Sequence, residues 1–355
     1  MHIETITTRD LDPDLVEKWR VLQSQSEDLA SPFFSPEFAL AVGRCRNDLH
    51  VGLIREGSDI IGLIPFHRRG CGRGVPVGGK LCDYQGIIGI APPSALMGDL
   101  LRGLGLSAFD FNHALSAQPL FAENGYFSST SPGVDLRAGY DRWKEEVNAR
   151  TKALKTLARK ERKLAREAGP LRFQVHDPSP EAWSGFQRWK RNALKRLGVQ
   201  FLADGWDKAL LEDLRQQQEP SFQGRLSTLY AGDRMVAAHF GITTPRAWHW
   251  WFPSYDPDLG NLSAGLVLMR HCIEAAALEG MAELDFGRGS ERYKIEFSNQ
   301  ARALSEGSLE RVTHPLGALR WLRKTAQRPT RKFLDDRQVD LLRRAGNRAL
   351  RAGRL

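Results

Sequence analysis

The stretch LVLMRHCIEAAALEGMAELDFGRG, residues 266–289, decides the fold. It opens as an apolar helix, breaks at Gly280, and resumes as a short strand ending in Leu284-Asp285-Phe286 ahead of two glycines. An earlier stretch, ALMGDLLRGLGLSAFDFNHA at 95–114, follows the same plan and ends in Phe109-Asp110-Phe111. Each is preceded by a hairpin pattern. LHVGLIREGSDIIGLIPFHRR (49–69) turns at Gly57, and LSTLYAGDRMVAAHFGITT (226–244) turns at Gly232-Asp233. Two matched features in the same order, roughly 175 residues apart, indicate duplicated α/β lobes.

The remaining segments fill in around this repeat. Residues 12–25 and 35–46 are expected to be helical, the second with Ser35 at its N-cap and Pro36 at its first position. KLCDYQGIIGI (80–90) reads as a strand carrying Asp83 and Tyr84. In the second lobe, 171–177 reads as a strand and 180–197 and 205–218 as helices. RAWHWWFPSYD (246–256) reads as an aromatic strand, 261–279 as a helix, and a last strand is expected within 302–313. ARTKALKTLARKERKLAREAG (149–169) reads as one long helix with Leu154, Leu157, Glu161, Leu164 and Ala165 on one face, stopped by Gly169-Pro170. The expected class is α/β, of mixed α+β character. Its parts are a first lobe (1–148), a basic inter-lobe helix (149–170), a second lobe packed beside the first (171–314) and an Arg-rich helical tail (315–355).

The chain has 355 residues, 41% hydrophobic and 26% charged, in the range of ordinary globular proteins. Its opening, MHIETITTRDLDPD, lacks the basic and apolar regions of a signal peptide, and no stretch approaches a membrane span. Cys45, Cys71, Cys82 and Cys272 are scattered without CxxC spacing, which argues against a disulfide framework or a zinc site and fits a reducing cytoplasm. The net charge of +9 is concentrated. Residues 319–355 hold twelve Lys/Arg and three Asp/Glu, and residues 150–167 hold eight basic and two acidic side chains. The rest of the chain is net acidic by six charges. Two basic segments on an acidic body read either as anion-binding surfaces or as solvated helix faces.

A hairpin, an aromatic strand, a helix entered through a small-residue turn, and a strand ending in an acid resembles the GNAT acyltransferase fold. Occurring twice, it resembles the double-lobed FemAB-like branch, and within it the CelD/BcsL-like family of cellulose and exopolysaccharide biosynthesis. Holdfast-polysaccharide acetyltransferase-like proteins are similar. The residues that carry the likeness are SPFFSPEF (31–38), CDY (82–84), the basic helix, VAAHFGI (236–242), SYDPDLGNLSAGLVLM (254–269) and LDFGRGSERYKIEF (284–297), over residues 1–313. The resemblance implies an acetyl-CoA or other acyl-CoA donor and a sugar or glycan-precursor acceptor, with no metal. It also leaves open an aminoacyl-tRNA donor, as in FemAB proteins, and a regulatory module that binds cyclic di-GMP or an anionic membrane surface at the inner face of the membrane. For that last reading the tail offers Arg323, Arg328, Arg331, Arg343 and Arg344. The resemblance does not specify an oligomeric state.

Individual residues carry two readings each. His239, alone among apolar neighbours, is either a core histidine or a general base. Tyr255 could donate to a developing oxyanion, and Asp256 either acts as a base or caps the turn that Asp-Pro begins. Asp285 sits at a strand end, where sites in open α/β sheets lie, and is either a site residue or a structural cap for the turn at Gly287. Gly287 and Gly289 fail the GxGxxG fingerprint, because Arg292 stands at the third glycine position, and no GK[ST] follows. They are read as a tight turn that lets substrate approach, with Tyr293 and Lys294 beside it. With Asp83 and Tyr84 these form the acceptor-side set. Gly260, Asn261, Ser263, Ala264 and Gly265 form the expected donor-binding turn, although the usual glycine spacing of a pyrophosphate loop is missing. Trp248, Trp250 and Trp251 read as core or as a sugar-stacking platform.

Overall fold

The computed structural model describes residues 2–196 and 205–331. The first lobe runs β1 (His2–Thr7), α1 (Pro13–Ser24), α2 (Pro36–Cys45), β2 (Leu49–Glu56), β3 (Asp59–Arg69), β4 (Arg73–Pro76), β5 (Ile88–Gly89), α3 (Met97–Gly103), β6 (Ala108–Leu115), α4 (Pro119–Glu123) and β7 (Gly125–Asp135). Two helices follow, α5 (Gly139–Arg150) and α6 (Ala153–Ala168). The second lobe runs β8 (Leu171–Gln174), α7 (Pro180–Arg196), α8 (Trp206–Gln216), β9 (Gln218–Glu219), β10 (Phe222–Ala231), β11 (Arg234–Thr243), β12 (Ala247–Tyr255), α9 (Ala264–Leu278), β13 (Glu283–Asp285), α10 (Arg292–Phe297) and β14 (Gln300–Glu310). Helix α11 (Pro315–Arg331) closes the described chain. The two lobes of the sequence pattern are present.

All fourteen described strands join one sheet, with main order β1-β2-β3-β4-β6-β14-β7-β13-β12-β11-β10-β8. Its centre is an exchange. Strand β14, from the end of the second lobe, pairs with β6 of the first. Strand β7, from the end of the first lobe, pairs with β13 of the second. The two exchanged strands pair with each other from Gln300↔Gly133 to Gly307↔Gly125. Each half keeps one parallel pair, β4 with β6 and β12 with β13. That arrangement relates Asp110 to Asp285, as the repeated Phe/Leu-Asp-Phe signature requires.

Two expectations need correction. The segment 80–90 is not a strand. Strand β4 covers β6 only at Ala108 and Phe109, and beyond it the segment makes a single isolated bridge, Gln85 with Ala114, while two-residue β5 pairs on β3. The Gln85 backbone donates to His113 and accepts from Leu115, and its side-chain Oε1 extends the pairing by accepting from the backbone N–H groups of Asn112 (2.8 Å) and His113 (3.1 Å). The loop therefore lifts Asp83 and Tyr84 off the sheet. The basic helix also starts later than expected, because residues 149 and 150 close α5 and α6 spans Ala153–Ala168. Thr151 is extended, and its hydroxyl accepts from the Ala153 N–H at 3.2 Å, starting α6 afresh.

The apolar faces then dictate the layers. Helices α1 and α2 of the first lobe meet α7 and α8 of the second over one shared core that includes Trp19, Phe33, Phe38, Trp183, Phe186, Phe240 and Trp251. Arg44 clasps Asp213 bidentately across α2 and α8, at 2.7 and 2.6 Å. A second core joins α5, α6 and α9 to the second lobe's sheet around Trp143, Trp248 and Leu268. A third belongs to α3 and α4 of the first lobe. Because one core spans both lobes, their junction is a fixed surface, and the functional residues gather there.

Candidate active site at the lobe junction

The site starts from a bulge. Across from Gly241, two residues of β12, Trp250 and Trp251, occupy the space of one, and the register slips between Phe240 and Ile242. A side chain at 241 would place its Cβ 2.4 Å from the His249 carbonyl oxygen, so the close approach demands glycine. The Trp251 N–H donates to His239 Nε2 at 3.0 Å. His239 is fully buried and stacked on Trp250 at 3.8 Å between ring centroids. Burial, then the charges of His249 and Lys190, push its pKa well below the ordinary value, so it is a neutral acceptor that shapes the bulge.

The parallel ladder of β12 and β13 lasts only from Ala247↔Glu283 to His249↔Asp285. Beyond it β13 ends and β12 runs on to Tyr255, opening a split. At its apex a chain of polar groups meets, in which the His249–Asp285 link is an ion pair without hydrogen-bond geometry. His249 Nε2 lies 3.0 Å from Asp83 Oδ2, and its Nδ1 lies 3.2 Å from Asp285 Oδ1. Asp285 Oδ2 accepts from the Tyr84 hydroxyl at 2.5 Å, and Oδ1 accepts from Ser131 Oγ (3.1 Å) and the Gly287 N–H (2.7 Å). Arg302 stands 3.8 Å from Asp285 and pairs closely with Glu283, at 2.6 Å. The exchange of strands is what assembles this set, because Ser131 comes on β7 and Arg302 on β14.

Charge follows from geometry. Burial opposes a charged His249, but the carboxylates of Asp285 and Asp83 outweigh it and push its pKa up to about 9. Burial likewise works against ionised Asp285 and Asp83, yet the imidazolium holds both below their ordinary value. Tyr84 is raised, first by burial and then by Asp285, so it stays a phenol and a donor. At neutral pH the chain is a carboxylate, an imidazolium and a second carboxylate. Asp285 is 2% exposed, whereas the Asp83 side chain is 27% exposed. Asp83 is therefore the end of the chain that a second molecule can touch. Phe33, from the SPFFSPEF segment, covers His249 edge-on at 4.8 Å.

The glycine turn closes over the same point. Gly287 has φ +71°, and a Cβ there would lie 3.0 Å from Asp83 Oδ2 and 3.3 Å from the His249 ring. Lys294 Nζ donates to the carbonyls of Gly287 (3.2 Å) and Arg288 (2.9 Å) and pairs with Glu291 at 3.3 Å, so it ties the turn together. Gly289 lies in this loop against Glu291. Tyr293 packs edge-on against Phe286.

The donor-side residues sit at the other end of the split. The Pro257–Leu262 turn carries Gly260 and Asn261 to Ser263, at φ +57°, where α9 begins. The first two N–H groups of α9, on Ala264 and Gly265, have no intrahelical partner. Lys160 of α6 reaches the same place, Nζ to Ser263 Oγ at 2.7 Å. The half-exposed Tyr255 ring lies over Gly265, 3.5 Å from where a Cβ would be. Asp256 faces away. It accepts from the Asp258 N–H at 3.0 Å and from Arg234 Nε at 2.8 Å, the cap role of its two readings.

The structure thus gathers Asp83, Tyr84, Asp285, Gly287, Gly289 and Lys294 at one point and Tyr255, Gly260, Asn261, Ser263, Ala264 and Gly265 at another. It leaves His239 behind the sheet and buries Trp248, Trp250 and Trp251. His249 was missed in the sequence because it hides inside an aromatic run. In the first lobe Asp110, the counterpart of Asp285, is met by Arg320 (2.5 Å) and Lys324 (2.9 Å) of α11. Of the tail arginines, the side chains of Arg323, Arg328 and Arg331, and all of Arg343 and Arg344, lie outside the described residues. Among the described residues no group of three or more His, Cys, Asp or Glu is placed to hold a metal ion, and no helix is long and apolar enough to cross a membrane.

Comparison with known proteins agrees with this architecture. Residues 151–295 match the acetyltransferase (GNAT) domain family. That match places a GNAT-type acyltransferase domain in residues 151–295. Solved structures of similar fold include FemX, with a TM-score of 0.57 at 11% identity over 90% of this chain and 99% of that one. Another is L-PGS from Bacillus licheniformis, 0.53 at 14% identity over 88% and 95%. A third is the C-terminal domain of a lysylphosphatidylglycerol synthetase from Agrobacterium fabrum, 0.50 at 15% identity over 87% and 95%. These likenesses concern the fold. No curated protein sequence matches.

Proposed function

We propose that the chain moves an acyl group from a coenzyme A thioester to an amine or hydroxyl of a sugar, free or carried on a nucleotide or lipid, in bacterial exopolysaccharide assembly. The observation that carries this reading is the Asp83–His249–Asp285–Tyr84 chain set at the apex of the β12/β13 split, with a helix N-terminus and a lysine at the far end.

The donor end fits a coenzyme A diphosphate. The free N–H groups of Ala264 and Gly265, the helix dipole of α9 and Lys160 all favour a bound anion, and the Tyr255 ring lies over Gly260 and Gly265. Coenzyme A supplies an activated acyl carbonyl when bound. The protein's own residues do the rest. Asp83 receives the acceptor's N–H or O–H and takes its proton through the carboxylate oxygen that His249 leaves free. His249 fixes Asp83 in place, and Asp285, held by Tyr84, Ser131 and the Gly287 N–H, keeps His249 charged and oriented. Lys294 preserves the glycine turn, and Phe33 keeps water from the imidazolium. Tyr255 flanks the donor, and His239 maintains the bulge from behind. The test is thiol release from acetyl-CoA in the presence of amino sugars and sugar nucleotides. Acceptor-dependent release is expected; release that no sugar stimulates would remove the acceptor class.

One observation favours a second donor. Lys152, Lys155, Arg159, Arg162 and Arg166 are all exposed and spaced three or four apart, forming a stripe along α6 about 21 Å long. Among the described residues only Arg166 of the five has a carboxylate near it, Glu167 at 3.8 Å. The stripe runs past Lys160, so a tRNA backbone could follow it to the same donor site. Salt-dependent binding of aminoacyl-tRNA, with a loss of about one unit of salt slope per arginine removed, would select that donor.

A further inference from the structure

Helix α11 turns its charges inward and its apolar side chains outward. It packs against β7 and β14. On the inner side Arg320 donates to Asp110 Oδ1 at 2.5 Å, and Lys324 donates to the same oxygen at 2.9 Å and stands 3.2 Å from Glu310 Oε1. Glu310 is buried, and among the described residues its carboxylate meets no cation but these two. Gly317 is buried too, and a Cβ there would fall 2.2 Å from the Arg311 carbonyl oxygen and 2.7 Å from that of Ser107. Rolling α11 about its axis would strip Glu310 of its cations and Asp110 of its nearest two, so the helix is held in this orientation.

The outward side is apolar. Leu316, Leu319 and Leu322 follow at intervals of three, the spacing of one stripe on a helix, and all are exposed, Leu319 by 64% and Leu322 by 60%. Val312 and Trp321 are exposed as well. These five are half of the ten large apolar side chains exposed among the described residues. Single exposed leucines call for no partner, whereas such a cluster on one element does. Charge identifies that partner. Helix α11 holds five Lys/Arg and no Asp/Glu, and residues 319–355 hold twelve against three. A second copy docked through this face would set like charges against each other. An anionic lipid surface offers an apolar layer to the leucines, negative headgroups to the basic residues, and between them the boundary that suits tryptophan.

We propose that α11 is an interfacial helix that seats the protein on an anionic lipid surface, with Leu316, Leu319 and Leu322 below the headgroups and Arg320 and Lys324 held back on Asp110 and Glu310. Because those inner contacts fix α11 to the sheet, docking also fixes the orientation of the sheet on the surface. None of this depends on the donor or acceptor proposed above.

The test is co-sedimentation of the full-length protein with phosphatidylcholine vesicles, with and without phosphatidylglycerol. Binding to the anionic vesicles is expected, weakened at least about tenfold in Leu319→Glu/Leu322→Glu. That variant should unfold thermally as wild type does, because both side chains already face solvent. Equal binding by the double variant would leave only charge attraction and overturn the proposal, as would no binding to anionic vesicles. A dimer in sedimentation velocity that the double variant abolishes, without vesicle binding, would assign the face to a second copy and overturn it too. A second readout spares the leucines: brominated lipid in the vesicles should quench more tryptophan emission in wild type than in Trp321→Phe, and equal quenching would refute the seating.

Discussion

Replacing His249 by glutamine removes the one cation between two carboxylates. The imidazole is fully buried, and its pKa rises from the ordinary 6.5 to about 9. At about 1.4 kcal/mol per pKa unit, that shift corresponds to on the order of 3 kcal/mol of folding stability. The figure falls at the lower edge of the cost of breaking a buried ion pair, about 3–5 kcal/mol. The sign follows from a folded-state pKa that is raised. The contribution is complete below about pH 6.5 and is lost as the pH climbs through about 9. Denaturant unfolding of wild type and His249→Gln at pH 6 and at pH 10 measures it. The wild type should lead by about 3 kcal/mol at pH 6, and most of that lead should vanish at pH 10. An equal gap at both pH values would mean that His249 contributes packing against Phe33 and not charge, and the reading of the Asp–His–Asp chain would fall.

Three further substitutions probe separate parts of the account. Gly287→Ala sets a Cβ 3.0 Å from Asp83 in a left-handed backbone position; it should cost about 1–2 kcal/mol of stability and lower kcat, both read on the same preparation. Lys160→Ala should weaken coenzyme A binding about tenfold by calorimetry, equivalent to about 1.4 kcal/mol, while the acceptor KM stays put. Asp256→Asn should lower stability by about 1 kcal/mol through the weakened cap and the lost partner of Arg234, and leave the pH profile of acyl transfer unchanged.

The lobes were legible in the sequence because duplication wrote the same hairpin and the same helix-to-acid pattern twice. Asp83, Tyr84, Asp285, Gly287 and Lys294 could be singled out one by one, since an acid at a strand end and a glycine pair after it are local signals. What joins them is not local. Tyr84 reaches Asp285 across 201 positions, and His249 reaches Asp83 across 166. His249 was hidden by Trp248, Trp250 and Trp251, whose apolar run reads as core and whose bulge breaks the alternation that would have exposed it. One signal was available: His249 is a polar residue in the strand that must lie parallel to the one bearing Asp285. The exchange of β7 and β14 left no mark at all, because a strand's partner is chosen by long-range geometry and its own pattern stays the same whichever lobe it joins. The loop at 80–90 looked like a strand because its apolar residues alternate loosely, while the feature that overrode the pattern was Gln85, whose backbone and side chain together complete the edge of β6.

The most direct measurement of the central claim is Asp83→Asn, the smallest change at the one exposed end of the chain. Acetyl-CoA affinity by calorimetry and acceptor-dependent thiol release are followed on the same protein. The account expects donor affinity within twofold of wild type and a loss of kcat on the order of 10²–10⁴, the usual span for removing a general base. Thiol release at the wild-type rate would contradict it, and would move the chemistry away from the Asp83–His249–Asp285 chain.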